Sequence, residues 1–309
     1  MHSMWKSPSP EPVTSVGVTQ AGAANARANG GEASHSPLTE SISQGSRYGK
    51  YRHGLRQLAV QVVCVAAAIG AWQVAVTTGM LASSAIAPPS AIAKSLWPLL
   101  STADFWSTVW ATVRAWSIGL LVSVGIAVPA GLVLGASNQV YRMSRFAIDF
   151  LRTIPPVALI PLALLLYGAT QTMSLVLIVF GSAWPVLLQS MYGVHQVDPV
   201  AREVARAYRL SRRNTILNVV LPSAAPSIAI GIRIAATMSL LLAIGAELIG
   251  GAPGVGNSIA LAEANGDISR MYAFVVVSAT LGVLLNMVML GVEGRALAWH
   301  PSHRPHAAA

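Results

Sequence analysis

From residue 58 onward the chain is a succession of long apolar runs broken by short polar stretches. A helix needs about 20 mostly apolar residues to cross the hydrocarbon core of a bilayer. Six segments meet that requirement: 58–80, 109–135, 144–167, 172–192, 219–250 and 271–297. The third, "FAIDFLRTIPPVALIPLALLLYG", breaks the pattern with Pro155, Pro156 and Pro161. Each proline removes a backbone donor, so this span is predicted to bend or break. Lipid tolerates that only where neighbouring helices or a water-lined cavity satisfy the freed carbonyls. A kinked packing helix and a gate both fit, which makes Pro155 and Pro156 candidate translocation-pathway residues.

The ends of the chain have another character. Residues 1–46 are rich in Ser, Ala, Gly, Pro, Asn and Glu without apolar periodicity, the composition of a disordered tail. A cleaved signal peptide is not expected, because the first long apolar run starts only near Leu58. The domain reading is therefore a tail (1–46), a membrane domain (47–299) and a short C-terminal tail (300–309).

Composition agrees with an all-α membrane protein. The 309 residues are 54% hydrophobic and 10% charged, against roughly 25% charged in soluble domains. A formal charge of +9 would suit nucleic acid, but the basic residues flank apolar runs instead of forming one face, so no nucleic-acid partner is expected. Orientation in the bilayer explains them. Arg47, Lys50, Arg52 and Arg56 precede the first span, Arg142 and Arg145 lie at the connection from the second to the third, the arginines of 201–213 lie between the fourth and fifth, Arg295 is at the end of the last span and Arg304 is in the C-terminal tail. The opposite side holds Lys94 and Arg270, offset by Asp104, Glu263 and Asp267. The positive-inside rule then predicts six spans with both termini cytoplasmic. Residues 85–104 fall outside, as a short interfacial helix carrying Trp97. The single cysteine, Cys64, has no intrachain partner.

One polar stretch is too ordered to be only a topology signal. In "AREVARAYRLSRR", residues 201–213, Val200, Val204 and Tyr208 recur every four residues, while Arg202, Arg206, Arg209 and Arg213 fall on another face. Asp198-Pro199 is a good helix start, Glu203 is within reach of Arg206, and Ser211 is placed to cap the next helix. The pattern predicts a short amphipathic helix at the cytoplasmic boundary. Lipid-headgroup binding, interfacial anchoring and docking of a soluble partner all fit that spacing.

The segment "EVARAYRLSRRNTILNVVLPSAAPSIAIGIRIA" resembles the signature loop of bacterial ABC importer permeases, in which Glu-Ala-Ala, then Gly, is followed by Ile-x-Leu-Pro. Glu203, Val204 and Ala205 occupy the Glu-Ala-Ala positions, and Val219, Val220, Leu221 and Pro222 close the motif. Arg209 stands where the family places the glycine that ends or bends the helix. "FLRTIPPVALIPLALLLYG", "WPVLLQSMYGVHQVDP" and "AELIGGAPGVGNSIALA" are similar to successive segments of the permeases for nitrate, sulfonate and taurine uptake. The resemblance covers residues 58 to 299 and implies a type I importer fold of six helices in the bacterial inner membrane, forming a homodimer. It further implies that a coupling helix at about 199–210 docks on a cytoplasmic ATPase subunit through Glu203, Ala205, Arg206, Ala207, Tyr208 and Arg209. ATP and Mg would be bound by that partner, with no cofactor in this chain. Loops around 85–105 and 250–266 would meet an extracytoplasmic substrate-binding protein, and the substrate would be a small anion.

Other patterns carry less. "GGAPGVGN", residues 250–257, lacks the lysine of a phosphate-binding loop and is expected to be a flexible turn on the outer side. Arg233 and Glu247 interrupt the fifth span about 21 Å apart along a helix, so they cannot pair within it; pathway roles and satisfaction by neighbouring helices both fit. Arg152 is expected near the cytoplasmic end of its span, with its head at the boundary. His300, His303 and His306 sit among prolines with no nearby carboxylate, so no metal site is expected. No catalytic set of Ser, His, Asp or Cys is present in a plausible arrangement, and the chain reads as a non-enzyme. The alternative from another class is a secondary transporter or channel acting without an ATPase, which predicts an inverted repeat and mid-membrane carboxylates. No clear repeat is visible.

Overall fold

The structure is a computed structural model that describes residues 60–81 and 85–297. The described residues form eleven α-helices and no strand. The N-terminal tail expectation and the three tail histidines lie outside the described residues. Five helices are long and apolar enough to cross a membrane: α1 (Val60–Thr77), α3 (Ala103–Gly135), α6 (Gln171–His195), α9 (Leu221–Gly250) and α11 (Ile268–Ala296). A bent pair of helices supplies the sixth candidate span. Its first half is α4 (Asn138–Leu151), its second is a 3-10 turn (Pro156–Leu159) running into α5 (Ile160–Tyr167), and the halves meet at 65°.

The break falls where the prolines are. Pro155 precedes the 3-10 turn and Pro156 opens it, while Pro161 occupies the first turn of α5, where a missing N–H costs nothing. Pro129, Pro185 and Pro226 lie inside α3, α6 and α9 without ending them.

Three helices build the centre. Along α3, α6 and α9 the facing positions are small: Gly131 lies against Ser190, Gly193 against Ala224 and Ser227, and Gly119 against Ile178. Lipid supplies no hydrophobic drive between helices, so close backbone approach and interhelical polar contacts must hold them. Ser123 and Ser182 share a hydrogen bond at 2.6 Å, and Trp116 Nε1 donates to the Ala236 carbonyl at 2.8 Å. Both contacts are buried. Around them pack Leu120, Ala127, Val186, Leu187, Met191 and Ala235.

The two ends of this bundle differ. At one, the short helices α2 (Pro89–Leu99) and α10 (Val255–Ala264) close over the starts of α3 and α11. Phe105, Val255, Ile259 and Phe274 form the plug, and Ile92 packs with Ala87 and Ala273. The helix α2 is the one expected around Trp97, which is surface-exposed, as are Trp106 and Trp110. Indoles at that level suit a membrane–water interface. The opposite end holds the end of α6, the short α7 (Pro199–Ala207) and α8 (Arg212–Thr215). From α8 the chain passes through one π-helical turn (Ile216–Val220) into α9.

Candidate functional site

The helix expected at 199–210 is α7, and its caps are those the residues dictate. Asp198 accepts the Val200 N–H at 2.8 Å, and Pro199 fills the first helical position. Ser211 caps α8 by accepting from Asn214 N–H at 3.3 Å.

The termination of α7 turns on Arg209. Its φ is 51°, making it the non-glycine with positive φ among the described residues. The Leu210 N–H donates to the Ala205 carbonyl at 3.0 Å and the Arg209 N–H to the Arg206 carbonyl at 2.9 Å. That pair of bonds is a Schellman cap, which needs a left-handed residue at the position Arg209 occupies. The expected turn is therefore kept without the glycine, at the steric cost of a β-carbon in the left-handed region.

Burial sorts the predicted contact residues. Val200, Val204 and Tyr208 are all exposed, Tyr208 by 79%, and form an apolar stripe on the free face of α7. Glu203, Arg206, Ala207 and Arg209 are exposed beside it. Ala205 departs from this. It is 3% exposed and faces the bundle, so it seats the helix and does not offer a contact. Among the described residues no ion pair joins Glu203 to Arg206.

Arg202 was no candidate, yet it connects α7 to a span. Its guanidinium donates through Nη2 to the Val194 carbonyl in the last turn of α6, which sets a cation at the C-terminus of that helix. Beside it, Tyr141 packs on His195 with ring centroids 4.1 Å apart.

The intramembrane charges find separate partners. Arg233 pairs with Glu293 of α11 at 3.4 Å; the Arg233 side chain is 41% exposed and that of Glu293 13%. Glu247 is completely buried near the other end of α9. Its Oε2 accepts from the Thr112 hydroxyl of α3 and from the Gly256 N–H, both at 2.9 Å, while Thr112 Oγ1 accepts the Val255 N–H at 2.9 Å. Among the described residues, Oε1 has no hydrogen-bond partner.

This corrects the expectation of a flexible glycine turn. Residues 250–254 lead around the carboxylate directly into α10, whose first turn at Val255 and Gly256 closes on it, and Ala252 and Val255 are fully buried. Gly254 is needed for close approach, since an added β-carbon would overlap the Glu247 carboxylate.

Pro155 and Pro156 sit at the break of the third span, with Pro156 against Gly181 of α6. Arg152 caps the C-terminus of α4 at this break and pairs with Asp149 at 3.0 Å. The polar partners Thr112, Asp149 and Glu293 were not among the predicted site residues. Thr112 and Glu293 meet partners distant in the chain, whereas Asp149 pairs locally with Arg145 and Arg152; an intramembrane carboxylate is the signal that points to Asp149 and Glu293. Among the described residues no group of His, Cys, Asp and Glu could hold a metal ion.

Comparison with known proteins places this architecture. Residues 123–296, more than half of the chain, match the family described as "Binding-protein-dependent transport system inner membrane component". A protein of Bacillus subtilis (strain 168) named as an aliphatic sulfonates transport permease is 26% identical over 268 residues, covering 86% of this chain and 96% of its own. A bicarbonate transport system permease of Synechococcus elongatus is 32% identical over 183 residues, covering 59% of this chain and 66% of its own. Among solved structures, an inward-facing form of the MetNI methionine ABC transporter superposes with a TM-score of 0.55 at 19% identity, covering 65% of this chain and 97% of that one. That likeness is one of fold. The chain belongs to the inner-membrane component family of binding-protein-dependent transport systems, and it is a multi-pass permease of an ABC importer in the bacterial inner membrane.

Proposed function

We propose that this permease forms a homodimer whose paired membrane domains enclose the translocation pathway, and that α7 couples it to a separate ATPase on the cytoplasmic side. The observation that carries the reading is the exposed stripe of Val200, Val204 and Tyr208. An apolar helix face of this kind suits a groove on a soluble partner, and Arg206 and Arg209 beside it supply charge for orientation. Arg202 would carry movement of α7 directly into the end of α6. ATP-driven closure of the ATPases would then rock α6 and α9 against the broken α4–α5 span, switching access between the two sides. Pro155 and Pro156 would act at that break. Arg233 and Glu247 would hold neighbouring helices in register along the pathway.

Both termini and α7 are placed in the cytoplasm by the positive-inside rule, which leaves α2 and α10 facing out. The surfaces at 85–105 and 250–266 would receive the substrate-binding protein. A small anion such as an aliphatic sulfonate, taurine or nitrate is the proposed substrate, supported by relatives named for sulfonates and for bicarbonate.

Co-expression with a candidate ATPase tests the coupling. Wild-type chain is expected to retain the ATPase through purification, and Tyr208→Asp to lose it. Substrate uptake by vesicles containing this chain without any ATPase would instead support a secondary transporter or channel.

A further inference from the structure

Between α4 and the last turns of α6 lies an open groove of about 300 Å³. Three charged residues line it at spacings of four and three: Arg145 and Asp149 of α4, and Arg152 at its C-cap. The facing wall brings Gln189 and Tyr192, and Tyr141 closes one side. The outward face of α4 is apolar, with Met143, Phe146 and Phe150 all strongly exposed. The helix thus sends its hydrocarbon surface outward and lines the groove with charge.

The two arginines use little of their donor capacity. Arg152 meets Asp149 through Nε at 3.0 Å, and Arg145 meets it through Nε at 3.7 Å. Among the described residues, no protein acceptor takes a hydrogen bond from the Nη groups of either. Two guanidinium groups share one carboxylate, which leaves a net charge of +1 and four terminal nitrogens without a protein partner. A guanidinium fork suits a planar or tetrahedral oxyanion, and paired forks suit one with three free oxygens. Gln189 and Tyr192 add neutral donors.

We infer that this groove is an oxyanion site, in which Arg145 and Arg152 grip a phosphate or sulfonate group and Asp149 holds the two guanidinium groups apart and oriented. Two sources carry that chemistry: the headgroup of an anionic phospholipid, favoured by the apolar face of α4 beside the groove, and a free anion in transit. Only the second rests on the proposed importer function, and a binding measurement independent of transport separates the two questions.

The experiment uses the full chain in nanodiscs of phosphatidylcholine, with phosphatidylglycerol added in one series and methanesulfonate in another. Retained phosphatidylglycerol is counted by native mass spectrometry, and methanesulfonate binding is followed by calorimetry. The variant R145Q/D149N/R152Q removes the forks without stranding Asp149. R142Q, on an exposed position of α4 that does not line the groove, makes the same change in net charge. The triple variant is expected to weaken binding by at least about tenfold, and R142Q to leave it unchanged. A loss confined to the phosphatidylglycerol series identifies a lipid phosphate as the occupant, and a loss in the methanesulfonate series identifies a free anion. Binding of neither probe, or an equal loss in both variants, overturns the site. Failure of ATP-driven transport would leave either result standing.

Discussion

The hydroxyl of Thr112 on α3 lies 2.9 Å from Glu247 Oε2 on α9, in a contact with no exposure to solvent. The same hydroxyl accepts the Val255 N–H and so joins α3, α9 and the start of α10 in one buried network. Thr112→Val preserves shape while leaving a carboxylate oxygen short of a donor and an N–H without an acceptor. Each such group costs about 1–3 kcal/mol. The thermal midpoint in detergent is expected to fall clearly in Thr112→Val and to return in Thr112→Ser.

Gly254 tests the same network sterically. Its α-carbon lies so close to the Glu247 carboxylate that alanine would overlap it. Gly254→Ala is expected to destabilise by about 1–3 kcal/mol. Pairing it with Glu247→Ala, which opens space, should give a loss smaller than the sum of the two single variants.

Arg209 predicts the opposite sign. Glycine at a left-handed cap position escapes the β-carbon penalty, so Arg209→Gly is expected to stabilise the α7 cap by about 1 kcal/mol. Arg209→Val, with a branched β-carbon at φ 51°, should destabilise it. Protease cleavage within 199–213 provides the readout, slower in the glycine variant and faster in the valine variant.

Much of the membrane architecture is legible in the residues because a span is a local property. About 20 apolar residues announce themselves, and Pro155 and Pro156 mark the broken span as plainly. Helix starts at Asp198 and Ser211 are equally local. The Schellman cap was harder to read, because its usual glycine is replaced by Arg209 and only the backbone shows the left-handed turn. Long-range polar partners were not legible at all. Thr112 and Glu247 are 135 residues apart, and nothing near either announces the other. The inward turn of Ala205 is similarly a matter of packing, since small apolar residues suit both faces of a helix.

The Arg233–Glu293 pair bears on the cost of charge in the membrane. Arg233→Leu strands a mostly buried carboxylate, but partial exposure of the arginine moderates the loss. A destabilisation of about 1–2 kcal/mol is expected, below the 3–5 kcal/mol of a fully buried pair. Arg233→Leu/Glu293→Leu should recover most of it in a double-mutant cycle of thermal midpoints.

Force from ATP hydrolysis in a partner is proposed to enter this permease through the exposed face of α7. Its most direct measurement is ATP-dependent uptake by proteoliposomes containing this chain, its ATPase and its binding protein, comparing wild type with Val204→Asp/Tyr208→Asp. Coupling through α7 predicts uptake only when ATP is supplied, with the variant reduced at least about tenfold through lost ATPase association. Uptake by the variant equal to wild type, or uptake without ATP, would contradict it.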